Sequence, residues 1–156
     1  MTQGIIILDF GSQYNQLIAR RIREFGVYTE IIPFNTPIAE IKKHNPTGII
    51  LSGGPSSVFG EEAALVDKEL FEMGVPVLGI CYGMQLISHL LGGEVKKGVK
   101  GEYGKSDLTV LAQNSLFNGV PEKSTVWMSH FDEVMKAPEG FVVSGKSNIE
   151  IAAMAN

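Results

Sequence analysis

Val75-Pro76-Val77-Leu78-Gly79-Ile80-Cys81-Tyr82-Gly83-Met84-Gln85-Leu86-Ile87-Ser88-His89-Leu90-Leu91-Gly92-Gly93 is the stretch that decides the fold. Residues 75–80 form a short apolar run of the kind found in strands buried on both faces. The run enters Cys81-Tyr82-Gly83 without a spacer. Met84 to Leu91 then has the apolar spacing of a helix, stopped by Gly92-Gly93. Gly79-Ile80-Cys81-Tyr82-Gly83 thus has the form Gly-x-nucleophile-x-Gly between a strand and a helix, with cysteine as the nucleophile. The glycines make room for a strained turn that projects the side chain past the strand end. A helix N-terminus beneath the sulfur favours thiolate over thiol, and the Tyr82 N–H is left facing a developing oxyanion.

Reading outward, the same strand-then-helix unit recurs in kind. Gly4 to Phe10 is nearly continuous in apolar residues, and a helical pattern with Tyr14, Leu17, Ile18, Ile22 and Phe25 on one face follows, closed by Gly26. Val27 to Pro33 is a second strand, Ile38 to Lys43 a short helix, and Gly48 to Ser52 a third strand. Gly53-Gly54-Pro55-Ser56 ends that strand, and Glu61 to Met73 reads as a helix. After Gly93 the runs near Asp107–Leu111, Thr125–His130, Val142–Lys146 and 149–153 read as antiparallel strands. The expected fold is α/β over residues 1–156 as one domain: a mostly parallel open sheet flanked by helices on both faces, with a small antiparallel extension. Ser52-Gly53-Gly54-Pro55 falls at the end of the strand beside Cys81, where sites assemble in such sheets, so Gly54 is the candidate second oxyanion donor. Trp127 and Met128 read as core residues.

Composition excludes other classes. Of 156 residues, 44% are hydrophobic and 19% charged, which is globular usage. The net charge of −4 argues against a nucleic-acid partner, which needs a basic face. No apolar run is long enough to cross a bilayer and no basic-then-apolar leader opens the chain, so a cytoplasmic protein with no membrane partner is expected. One cysteine makes neither an internal disulfide nor a cysteine zinc site, and no metal is expected. Lys96, Lys97, Lys100 and Lys105 read as a solvated turn.

Ser52-Gly53-Gly54-Pro55 together with Cys81-Tyr82-Gly83-Met84-Gln85 resembles the class I glutamine amidotransferases. With Ile7-Leu8-Asp9-Phe10-Gly11-Ser12-Gln13-Tyr14, Gly101-Glu102-Tyr103-Gly104 and Val126-Trp127-Met128-Ser129-His130, the whole chain is similar to the glutaminase domains of glutamine-hydrolysing GMP synthases. The resemblance implies that Cys81 attacks the side-chain amide of glutamine, with Gly54 and Tyr82 as the oxyanion hole. It implies that Gly53, Gln85 and the segment Ser129, His130, Phe131 and Asp132 bind the substrate. It implies no cofactor in this domain. The partner would be an ATP-pyrophosphatase module, on the same chain or on a separate one, which uses ATP and Mg to aminate XMP to GMP.

Two departures qualify it. The family reads Ser-His-Gly-Asp where this chain has Phe131 third, and its general base lies in a His-x-Glu pair that occurs nowhere in these 156 residues. The domain is therefore expected to be incomplete at its C-terminus. His44 sits at a helix end before Pro46, and His89 lies about 12 Å along the helix from Cys81, out of reach of the sulfur. His130 falls by the substrate in the resemblance. Gly140 to Ser147 fits Gly-x-x-x-x-Gly-Lys-Ser by letter, but Phe141-Val142-Val143 is strand-like and no helix opens after it, so it is not read as a phosphate loop. Two other readings stay open at this point: a glutamine- or partner-binding module lacking the base, and an elbow-cysteine hydrolase of γ-glutamyl peptides.

Overall fold

The computed structural model of the chain describes residues 3–148 and 151–156 and divides into two units, one up to Leu86 and one from Ile87 onward. The first is an α/β layer structure. Its sheet is parallel in the order β2-β1-β3-β4, with β1 Ile5–Asp9, β2 Thr29–Pro33, β3 Gly48–Leu51 and β4 Val77–Gly79. Helices α1 Asn15–Glu24 and α2 Ile38–Lys43 make the crossovers. Alternation along β1 assigns the faces. Ile5 and Ile7 turn toward Ile18, Ala19 and Ile22 of α1, together with Ile31, Ile50 and Ile80. Leu8 turns the other way, toward Ile41 of α2 and Leu70. Burial on both sides is why β1 carries apolar side chains without a polar alternate.

Three expectations for this unit need correction. Tyr14, Leu17 and Phe25 are exposed, Phe25 at 84%. Tyr14 and Phe25 are the N-cap and C-cap of α1, and Leu17 lies roughly 150° round from the Ile18–Ala19–Ile22 stripe. The strands are also one to three residues shorter than the apolar runs that announce them, because the ends of each run pass into the turns. Glu61 to Met73, expected as a helix, is irregular to Asp67 and then a single 3₁₀ turn, Lys68–Glu72. Two partners hold it open. The Ala64 carbonyl accepts a hydrogen bond from Tyr82 Oη at 2.8 Å, and the Asp67 carboxylate accepts from the Glu69 N–H at 2.9 Å. A continuous helix would commit both groups to its own ladder.

α3, Tyr82–Leu90, carries the chain into the second unit. There β5 Glu94–Lys96 pairs antiparallel with β8 Glu133–Lys136. A larger antiparallel sheet runs β10-β9-β6-β7, with β6 Glu102–Val110, β7 Lys123–His130, β9 Val142–Lys146 and β10 Ala153–Ala155. Its core is Leu108, Val110 and Phe117, packed by Val120, Val126, Ala152 and Ala153. The expected strand over 149–153 is displaced: β10 begins at Ala153, and Ile149 and Glu150 lie outside the described residues. Trp127 is 68% exposed rather than core. β7 alternates strictly, and Val126 and Met128 take the inner face that excludes it. Residues 142–146 are strand β9, so the Gly140 to Ser147 stretch has no phosphate-loop geometry.

Candidate active site

β4 ends at Gly79 and α3 begins at Tyr82, so Cys81 is the corner between them. Its φ is +52°, the left-handed region that a residue with a Cβ enters only where the surroundings enforce it. Three hydrogen bonds enforce it here. The Ile80 N–H donates to the Leu51 carbonyl at 2.9 Å, the Gly83 N–H to the Ile80 carbonyl at 3.0 Å, and the Gln85 N–H to the Cys81 carbonyl at 3.1 Å. The strained elbow expected from Gly-x-Cys-x-Gly is present. Gly83 is needed for a further reason: a Cβ there would overlap the Leu51 carbonyl, so α3 starts flush against the end of β3.

The Gly-Gly turn stands beside this corner because β3 and β4 are neighbours, with Leu51 opposite Gly79. A Cβ on Gly53 would lie 3.3 Å from Cys81 Cβ, and one on Gly54 would overlap the Phe10 carbonyl. Ser52, fully buried, fixes the turn. Its Oγ accepts from the Phe10 N–H at 3.2 Å and donates to the Gly53 carbonyl at 3.1 Å. Tyr82, the first residue of α3, has its N–H at the helix end where no preceding turn supplies a carbonyl. Its ring is buried, lies 5.3 Å from that of Phe10, and is tied through Oη to Ala64. Gln85, 7% exposed, follows one turn into the helix. The structure thus brings together Cys81, Tyr82, Gly53, Gly54 and Gln85. Sequence reasoning missed Ser52, Phe10 and Ala64 as the parts that hold them; a serine directly before Gly-Gly at a strand end was the available signal.

Cys81 is exposed, yet the protein packed around it pushes its thiol above the ordinary value of 9.0 by desolvation. The N-terminus of α3 acts in the opposite direction. A raised thiol pKa moves the thiolate fraction, and with it the alkylation rate, to higher pH. Iodoacetamide modification of Cys81 is therefore expected to climb through pH 9.0 without levelling off. A plateau reached well below that pH would contradict the assignment.

The other proposed substrate residues belong to the second unit. Ser129 and His130 end β7, and Phe131 and Asp132 form the turn into β8. Phe131 does not need a glycine's freedom: among the described non-glycine residues only Asn45 and Cys81 have positive φ. The His130 ring reaches the Asp132 carbonyl with Nδ1 at 2.9 Å and Glu102 Oε2 with Nε2 at 3.0 Å. His44 caps α2 and faces Glu30 at 3.3 Å, and His89 is exposed. Among the described residues no group of His, Cys, Asp and Glu is placed to hold a metal ion, and no helix is long and apolar enough to cross a membrane.

A parallel sheet whose strand-to-helix corner presents a cysteine at positive φ beside a Gly-Gly turn has the geometry of a nucleophile elbow. Residues 6–156 match the family described as Glutamine amidotransferase class-I, and the chain belongs to that family. Within it, the chain is 58% identical over 154 residues to the GMP synthase [glutamine-hydrolyzing] of Lactobacillus gasseri and 54% identical over 153 to that of Aquifex aeolicus. Each match covers 97% of this chain but 30% of the relative, so the chain spans less than a third of those proteins. The crystal structure of a Thermoplasma acidophilum protein, provisionally described as one of the subunits of a GMP synthase, superposes with a TM-score of 0.89. It is 31% identical and is matched over 100% of this chain and 78% of its own.

Proposed function

We propose that this chain is the glutaminase part of a GMP synthase, with Cys81 as its nucleophile. The observation that carries the reading is the left-handed corner at Cys81, held against the Gly53-Gly54 turn. Cys81 Sγ attacks the side-chain amide carbon of glutamine, and the C–N bond breaks as the nitrogen takes a proton and leaves as ammonia. Water then cleaves the γ-glutamyl thioester to glutamate and restores the thiol. The N–H groups of Gly54 and Tyr82 hold the oxyanion in both steps. Gly53 and Gln85 line the nucleophile's side of the substrate, and the backbone of Ser129, His130, Phe131 and Asp132 holds the α-amino and α-carboxylate ends. The ammonia goes to an ATP-pyrophosphatase module, fused or separate, which uses ATP and Mg to convert XMP to GMP in the cytoplasm. The glutaminase step itself uses no cofactor.

A glutamine-like electrophile with a diazoketone in place of the amide tests the reading: saturable labelling of Cys81 is expected, and labelling elsewhere overturns it. The raised thiol calls for a base, and no His-x-Glu pair occurs in these 156 residues. Ammonia release by this chain alone is accordingly expected to be on the order of 10⁴-fold slower than by a complete glutaminase. Turnover at the full rate would show that a group within these residues serves as base.

A further inference from the structure

We propose that Glu102 is a positioning residue for glutamine, acting through His130 on the turn that receives the substrate's amino-acid head; this rests on the role proposed above for residues 129–132. Glu102 and His130 are direct cross-strand partners at the end of the β6–β7 ladder, on its inner face. Their side chains are only 10% and 12% exposed. One carboxylate collects three donors. Oε1 accepts from Ser106 Oγ at 2.5 Å, and Oε2 accepts from His130 Nε2 at 3.0 Å and from Ser147 Oγ at 3.2 Å. Asn148 Nδ2 extends the cluster by donating to Ser106 Oγ at 3.4 Å.

The other ring nitrogen links this cluster to the turn. His130 Nδ1 donates to the Asp132 carbonyl at 2.9 Å, closing the backbone from 130 to 132 into a loop braced by a side chain. The Asp132 carbonyl and the Glu102 carboxylate hold the ring from its two nitrogens, one on the turn and one on the neighbouring strand. A ring held at both nitrogens has no rotational freedom left, and the backbone of Phe131 and Asp132 is fixed with it. Replacing the carboxylate by a neutral amide keeps an acceptor but removes its charge, so the anchor at Nε2 weakens and the turn loosens, while the nucleophile corner in the first unit keeps its own hydrogen bonds.

The test uses the diazoketone analogue on the whole chain and separates its half-saturating concentration from its limiting inactivation rate. Iodoacetamide, which has no amino-acid head, serves as the control. Glu102→Gln is expected to raise the half-saturating concentration about tenfold, the size of the charge assistance lost from one hydrogen bond. The limiting rate and the iodoacetamide rate should stay as in the parent. In a His130→Gln background the same change should add nothing. An unchanged half-saturating concentration overturns the proposal, and so does a rise accompanied by changed limiting and iodoacetamide rates, which marks a purely structural role. Hydrogen exchange of the labelled parent distinguishes the two failures. If the amides of residues 129–132 gain protection on labelling while Glu102→Gln has no effect, the positioning role alone falls. If they gain none, the glutamine-binding role of the segment falls and takes the positioning role with it.

Discussion

Cys81→Ser is expected to lose labelling by the diazoketone analogue on the order of 10⁴-fold while keeping the fold. The two side chains are nearly isosteric, and the corner at φ +52° is held by backbone hydrogen bonds and by Gly83, none of which involves the sulfur. The change therefore removes the nucleophile and little else. A serine here has no imidazole within these residues assigned to activate it, so its hydroxyl stays protonated at neutral pH. Intact-mass spectrometry reads the outcome directly. Labelling at the parent rate in Cys81→Ser would place the reactive group elsewhere and remove the elbow from the account.

Gly83→Ala is the second large effect, and its direction follows from two opposed magnitudes. Alanine within a helix is favoured over glycine by roughly 0.5–1 kcal/mol, which on its own predicts stabilisation. The added Cβ, however, overlaps the Leu51 carbonyl, a backbone atom at the end of a buried strand that has no side-chain freedom with which to yield. Overpacking of this kind costs about 1–3 kcal/mol, so destabilisation wins. The displaced first turn of α3 also moves the Tyr82 N–H and the Cys81 corner. A fall in Tm together with slower diazoketone labelling is expected, measured by thermal unfolding and mass spectrometry. A variant as stable and as reactive as the parent would show that α3 does not need its close seat on β3.

Much of the site was legible because its constraints are local. Gly-x-Cys-x-Gly after an apolar run specifies the corner through the glycines themselves, and a Gly-Gly turn one strand away needs only the parallel order to arrive beside it. What failed depended on partners distant in sequence. Residues 61–67 have helical composition, but Tyr82 Oη takes the Ala64 carbonyl, a choice made by tertiary packing, and Asp67 then caps the 3₁₀ turn through the Glu69 N–H. Trp127 was misread because Val126-Trp127-Met128 is apolar on both faces of a strand, which hides the alternation that exposes the tryptophan. The Glu102–His130 pair depends on strand register, and a shift of one residue would set the two on opposite faces.

Competition between glutamine and the diazoketone for Cys81 tests the central assignment most directly. L-glutamine is expected to slow labelling of Cys81 saturably, while L-asparagine, one methylene too short to bring its amide to the sulfur with its head in place, gives no protection. Labelling of Cys81 at the same rate with and without saturating glutamine would contradict the account.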